Sequence, residues 1–351
     1  MKAPRDTWVN PFLALVLCLA SGALFAWLRT PLPWMIGPLL AMAVCNFAGA
    51  QLRSVPGSRQ LGQLIIGTAL GLYFTPLVAR QVASYWPLLI FAACFAILVA
   101  WACGWFLSRT TDTDPTTAFF ASVPGGAAEM AILGERFGAR VDRVALAQSL
   151  RILVVVIVVP FALTYSGVQG SDAYSPAPTP LNWPRLALLF GIAAVGGGAL
   201  ALAGMANPFM FGPLLVAIAL TSNDVEFSSV PTWTSNLGQL LLGCALGSRF
   251  EQHFLGSLAR YAGAVLASVL ISIALAAALG VALAWFTGLP AASLMLAIAP
   301  GGIAEMCITA KVLQLGVPLV TAAHVTRVLV LLNATGPIYR FGRYLHGRAA
   351  P

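Results

Sequence analysis

The stretches "SVPGGAAEM" (residues 122–130) and "IAPGGIAEM" (residues 298–306) decide how this chain folds. Each lies inside an apolar run, where a membrane helix is expected, yet each contains a proline, two adjacent glycines and a carboxylate. Proline within a helix removes a donor and clashes with the carbonyl four residues back, while glycine leaves φ and ψ free. The pattern predicts a half-helix ending near Val123 and a second starting near Ala127, with the same break at Pro300-Gly301-Gly302. Each half has roughly nine residues, about 13 Å, so the break falls near the middle of a ~30 Å hydrocarbon layer.

Composition supports the membrane setting. Of 351 residues, 59% are hydrophobic and 9% are charged, against roughly 25% charged in soluble domains. Apolar runs recur along the chain, and the longest hydrophilic segment is only 167–183. The net charge of +8 comes from scattered bases that read as topology signals on membrane loops, not as a nucleic-acid face. Lys2 and Arg5 precede an apolar run as in a signal peptide, but "PFLALVL" at 11 has a counterpart in "PRLALLF" at 184, so a retained helix is expected. The cysteines (Cys18, Cys45, Cys94, Cys103, Cys244, Cys307) show no CxxC spacing and read as small packing residues.

The chain is a tandem duplication. "LGQLIIGTALG" at 61 matches "LGQLLLGCALG" at 237, Glu129-Met130 matches Glu305-Met306, and Arg151 matches Arg327, all at an offset of 176. "PWMIGPLL" at 33 matches "PFMFGPLL" at 208 at an offset of 175. Repeat 1 is 1–166, a periplasmic linker occupies 167–183, and repeat 2 is 184–351, the two forming one membrane domain. Each repeat has six apolar segments: near 11–29, 32–50, 60–78, 86–107, 115–134 and 144–166, then 184–204, 208–221, 235–250, 258–286, 290–310 and 318–339.

Equivalent loops swap their charge. "QLRSVPGSR" at 51 is basic where "TSNDVEFSSVPTW" at 221 is acidic, and "ERFGARVDR" at 135 carries three arginines where its counterpart carries only Lys311. The positive-inside rule then gives two inverted repeats. The expected fold is all-α and polytopic, each repeat having about five transmembrane helices plus one broken helix that re-enters or crosses. Both termini are expected in the cytoplasm of a bacterial cell, with the chain in its inner membrane. Arg80 and Lys311 fit this arrangement poorly, since both fall outside.

Irregular backbone at membrane depth survives only when buried in protein or lining a water-filled cavity, and two such breaks form the solute site of many secondary transporters. The candidate site comprises Ser122, Pro124, Gly125, Gly126 and Glu129 with Pro300, Gly301, Gly302 and Glu305. The glutamates either cap their half-helices or bind a coupling cation or proton; mid-membrane burial costs about 2.5–3.5 kcal/mol, more than the roughly 0.3–1 kcal/mol of a cap. Arg151 and Arg327 either pair with those glutamates or bind an anion. Gln148 and His324 lie three residues before them, on the same helical face, and His324 is a candidate titrating group. Gly67, Gly71, Gly243 and Gly247 form GxxxG spacings suited to helix packing, with Gln63 and Gln239 one turn earlier as further site candidates.

The doubled "GPLL", "LGQLLLG" and "PGG.AEM" pattern resembles the AbrB family of bacterial inner-membrane proteins, along essentially the whole chain. Members carry labels of ammonia monooxygenase or of regulator of gene expression. The inverted, re-entrant organisation also resembles sodium-coupled carriers of the citrate and glutamate types, whose tips are Gly-Gly-rich where this chain has Pro-Gly-Gly. A copper or iron monooxygenase needs clustered ligands, whereas His253, His324 and His346 are far apart. A DNA-binding regulator needs a module able to enter a groove. The expected function is therefore a secondary transporter of a small, anionic or ion-coupled solute, without a cofactor beyond a coupling Na⁺ or H⁺. The alternative is a membrane sensor or scaffold that influences gene expression indirectly. Expected partners are the bilayer, the solute and, optionally, a second copy in a homodimer, with no nucleic acid.

Overall fold

A computed structural model describes residues 6–168, 170, 180–225, 227–250 and 259–345. Lys2, Arg5, the middle of the linker (171–179), Glu226, His253, His346 and the tail beyond 345 lie outside the described residues. The described residues form fifteen helices and no strands. They are α1 (Asp6–Trp27), α2 (Pro33–Phe47), α3 (Ser58–Gly71), α4 (Pro76–Ser84), α5 (Trp86–Thr110), α6 (Pro115–Ser122), α7 (Ala127–Arg136) and α8 (Val141–Tyr165) in the first copy. The second copy has α9 (Trp183–Leu202), α10 (Pro208–Thr221), α11 (Thr232–Gly247), α12 (Ala259–Thr287), α13 (Ala291–Ile298), α14 (Ile303–Leu313) and α15 (Val317–Leu345).

Six of these helices are long and apolar enough to cross a membrane. Their outer faces are apolar, with Phe12, Leu13, Val16 and Leu19 exposed on α1 and Leu188 and Val195 on α9. So much exposed apolar surface on a polar-poor chain belongs against lipid, and the protein is a polytopic membrane protein. The segment expected as one helix over 60–78 is instead two, α3 and α4, bent by 92°. Pro76 explains the bend: it biases Thr75 away from helical geometry and offers no N–H to the preceding turn.

The duplication is written into the backbone. Left-handed residues recur in pairs: Arg29 (φ 53°) with Gly204 (71°), Leu32 (47°) with Asn207 (51°) and Gly49 (92°) with Asp224 (58°), each 175 apart, and Gly138 (79°) with Gln314 (55°), 176 apart. A leucine at positive φ is rare and costly. Leu32 adopts it nonetheless in the turn before α2, where the turn before α10 has Asn207, a residue that tolerates this conformation.

The chain forms two compact units, and each draws on both copies. The first contains Met1–Val82, Val156–Ala259 and Ala304–Pro318. Within it α1 packs on α2 and α9 on α10, then the partners cross over, α3 packing on α10, α11 on α2, and α3 on α11. The GxxxG glycines make these close contacts. A Cβ at Gly67 would lie 2.6 Å from the Met210 carbonyl oxygen, and one at the equivalent Gly243 would strike the equivalent Met35 carbonyl. Gly71 meets Ala217 and Gly247 meets Met42 in the same way. The glycines therefore serve helix packing, as their GxxxG spacing predicts.

The second unit contains Ala83–Val155, Arg260–Ile303 and Leu319–Pro351. Phe119, Phe120, Val123 and Met130 from the first broken segment are buried there with Ala100, Val144 and Leu331. Gly104 on α5 abuts Phe119 Cα, and Gly280 on α12 abuts Met295 Cα. The two contacts are equivalent at an offset of 176, which fixes the register of α12 against α5 in the duplication.

Candidate functional site

The first break is built as a hairpin. Asp114 starts α6 by accepting the Thr117 N–H at 2.8 Å, and Pro115 occupies the first helical turn, where its missing N–H costs nothing. The helix ends at Ser122, Val123 turns extended, and α7 begins at Ala127, as Pro124 predicts. Gly138, at φ 79°, closes the far end of α7. There the Arg140 N–H donates to Thr117 Oγ1 at 2.8 Å, and Arg143 Nη1 donates to Thr113 Oγ1 at 2.6 Å and to the Asp112 carbonyl at 2.9 Å. The residues entering α6 thus lie beside those leaving α7, and the segment doubles back on itself.

The glycines are needed for room, which corrects the expectation that they relax φ. Gly126 has φ −67° and ψ 141°, a conformation open to any residue. A Cβ on Gly126 would overlap the Glu129 carboxylate, and one on Gly125 would lie 2.7 Å from Met130. The letters of "PGGAAEM" therefore explain one another, since Glu129 and Met130 fold back over the two glycines. Glu129 is the third residue of α7, the position from which a carboxylate reaches back to its helix N-terminus.

Carbonyls freed by the break are gripped from α8. Gln148 Nε2 donates to the carbonyls of Phe120 (3.0 Å), Ala121 (3.3 Å) and Val123 (2.9 Å). Arg151 donates to Val123 through Nη1 at 2.8 Å and to Gly125 through Nη2 at 3.0 Å. Both side chains are buried. The second break repeats the arrangement 176 residues on: Arg327 Nη1 donates to the Ala299 carbonyl at 2.5 Å and Nη2 to that of Gly301. His324 Nε2 bonds the Leu296 carbonyl at 2.9 Å, and since a carbonyl only accepts, the proton sits on Nε2. The arginines thus fasten the irregular backbone, a role absent from both sequence-level alternatives. Each guanidinium is a rigid two-pronged donor, suited to two carbonyls in a way lysine is not.

Both breaks line one pocket within the second unit, Ser122, Pro124 and Arg151 coming from one copy and Ile298 and Pro300 from the other. Two serines of α12, Ser268 and Ser272, complete its polar wall. Sequence reasoning missed them, although the duplication places Ala92 and Ala96 at their positions in the first copy, a contrast visible on alignment.

The remaining candidates fall elsewhere. Glu305 is buried in the first turn of α14 and is assigned to the first unit. So are Gln63 and Gln239. Gln63 Nε2 and Arg59 Nη2 both donate to Asn207 Oδ1, at 3.3 and 2.7 Å, while Gln239 is buried along α11. Lys311, a poor fit to the charge pattern, lies within the same unit with Nζ 3.5 Å from Ser235 Oγ and 5.9 Å from the Tyr73 ring centre. That ring contact eases the loss of water around an ammonium.

A family model described as "Transition state regulatory protein AbrB" matches residues 34–343. A Bacillus subtilis (strain 168) protein named "Uncharacterized protein YhjN" is 28% identical, over 98% of this chain and 94% of its own length. An Escherichia coli (strain K12) protein named "Putative regulator AbrB" is 26% identical, over 93% of this chain and 95% of its own. No solved structure matches.

Proposed function

We propose that this chain, which belongs to the AbrB family, is a secondary transporter that moves a small, anionic or ion-coupled solute across the bacterial inner membrane by alternating access. One observation carries the proposal: two like-built helix breaks, each fastened by a buried arginine, line a single pocket in a polytopic membrane protein. A structural scaffold gains nothing from such a cavity, whereas a solute site needs irregular backbone beside one. In this reading the repeats are inverted, both termini are cytoplasmic, and Glu129 and Glu305 take the coupling cation or proton. Arg151 and Arg327 hold the hairpin tips that move.

The test begins with thermal stabilisation of the purified protein by small organic acids, amino acids and Na⁺, followed by flux of any stabilising solute in proteoliposomes. Glu305→Gln is expected to leave folded protein in the membrane and to lower flux at least tenfold. Normal flux by that variant would remove the coupling role. A membrane sensor acting on gene expression is the second reading, favoured by the printed name of the Escherichia coli relative; stabilisation by a solute that never crosses the bilayer would support it.

A further inference from the structure

The pocket is strongly asymmetric within a duplicated frame. Its polar wall consists of Ser122, Arg151, Ser268 and Ser272. At an offset of 176, Ser122 corresponds to Ile298, Ser268 to Ala92, Ser272 to Ala96, Cys103 to Leu279 and Leu107 to Leu283. Ile298, Ala92, Leu279 and Leu283 pack together in an apolar cluster with Ala276. The duplication thus keeps both arginines, whereas the three serines that share the pocket with Arg151 are replaced by isoleucine and alanine at the equivalent positions of the other copy. Packing alone does not require the hydroxyls, because the equivalent positions Ala92, Leu279, Leu283 and Ile298 pack into an apolar cluster without them.

Resting on the reading of the breaks as a solute site, we propose that this pocket is a one-sided binding site for a small monovalent anion, held by Arg151 and the hydroxyls of Ser122, Ser268 and Ser272. Charge selects the class, since Arg151 is the one ionised side chain among the described lining residues and a cation would face it with no carboxylate in the wall. Each hydroxyl donates to its own helix: Ser122 to the Ala118 carbonyl (2.9 Å), Ser268 to Val265 (2.8 Å) and Ser272 to Val269 (2.7 Å). Those acceptors are backbone carbonyls within helices, and such back-bonds contribute little. An arriving anion turns the protons toward itself, and a hydrogen bond to a charged acceptor is the stronger of the two. Size selects the occupant. About 30 Å³ is open to the centres of water-sized molecules, and one water needs roughly 10–15 Å³ on that measure, so two or three heavy atoms fit.

The full-length protein in lipid nanodiscs tests the assignment. Sodium gluconate, whose anion is too large, is replaced at constant ionic strength by chloride, nitrite or formate, and thermal stability is followed by intrinsic fluorescence. At least one of the three is expected to stabilise saturably, and Ser268→Ala/Ser272→Ala to weaken its apparent affinity about tenfold or more while leaving stability in gluconate unchanged. Ser272→Ala alone is expected to weaken binding at least threefold, which keeps the test informative should the double variant fold poorly. No stabilisation by any of the three anions overturns the proposal, as does equal affinity in the serine variants. So does stabilisation that follows exchange of Na⁺ for choline. Saturable, serine-dependent binding without flux of any solute upholds the pocket and removes the transport reading; flux indifferent to the serines does the reverse.

Discussion

Replacing Arg327 with glutamine removes the two-pronged grip on the second break. Arg327 donates to the Ala299 and Gly301 carbonyls, and both the donor and the break are buried. Hydrogen bonds to a charged group are worth about 1.5–3 kcal/mol each, so the grip amounts to roughly 3–6 kcal/mol. Losing a buried guanidinium also relieves a desolvation cost of several kcal/mol per ion, so global stability should change much less. The local cost remains, because glutamine brings a single amide where the guanidinium fork holds two carbonyls. Opening of the break should become easier by about 3 kcal/mol, which is about a hundredfold at 1.4 kcal/mol per decade. Hydrogen–deuterium exchange of peptides covering 296–306 reads this directly, with 120–130 as the internal reference. Exchange at 296–306 should rise by about two decades while 120–130, still held by Gln148 and Arg151, stays constant. Arg327→Lys, which supplies a point charge in place of a fork, should fall between. A rise below threefold, or an equal rise in both hairpins, would refute the role assigned to the arginine.

Three further outcomes follow from the same geometry. His324→Gln should tighten the second hairpin, because the two N–H groups of Gln148 Nε2 serve three carbonyls of the first hairpin where His324 has one bond to Leu296; slower exchange at 296–302 would show it, and faster exchange would contradict it. Gly126→Ala places a methyl group where the Glu129 carboxylate sits; since the displaced atoms end a flexible side chain, the melting temperature should fall only slightly, by the equivalent of about 0.3–1 kcal/mol for a lost helix-terminal charge, while flux falls as far as in Glu129→Gln. Gly243→Val drives a side chain into the Met35 carbonyl and Pro38, and overpacking of this kind costs about 1–3 kcal/mol or more, so monodisperse protein on gel filtration should drop sharply relative to Gly263→Val, where a Cβ meets nothing within 4 Å.

The helix breaks were legible because proline and duplication are both written in the letters, and the boundaries at Ser122 and Ala127 fall where Pro124 puts them. The 92° turn between α3 and α4 was not. Its apolar run is unbroken in hydropathy, and a proline opening a helix looks the same in sequence whether the chain continues straight or bends. The i, i+3 pairing of Gln148 with Arg151 placed both on one face correctly. Their partners proved to be backbone carbonyls, which carry no sequence signature. Glycines at 125 and 126 suggested conformational freedom, whereas the space they leave for Met130 and Glu129 depends on side-chain paths that a motif does not record. Ser268 and Ser272 escaped notice because a serine in an apolar helix is unremarkable until the pocket beside it is known.

Alternating access is tested most directly by the accessibility of the first break from the two sides of the membrane. In a variant whose six native cysteines are replaced by alanine, Ser122→Cys places a thiol in the wall of the pocket. A membrane-impermeant thiol reagent is then applied to right-side-out and to inside-out vesicles. A transporter whose site lies between the two breaks is labelled from both sides, with the stabilising solute slowing each reaction. Labelling from one side alone, unchanged by solute, would contradict alternating access at this site.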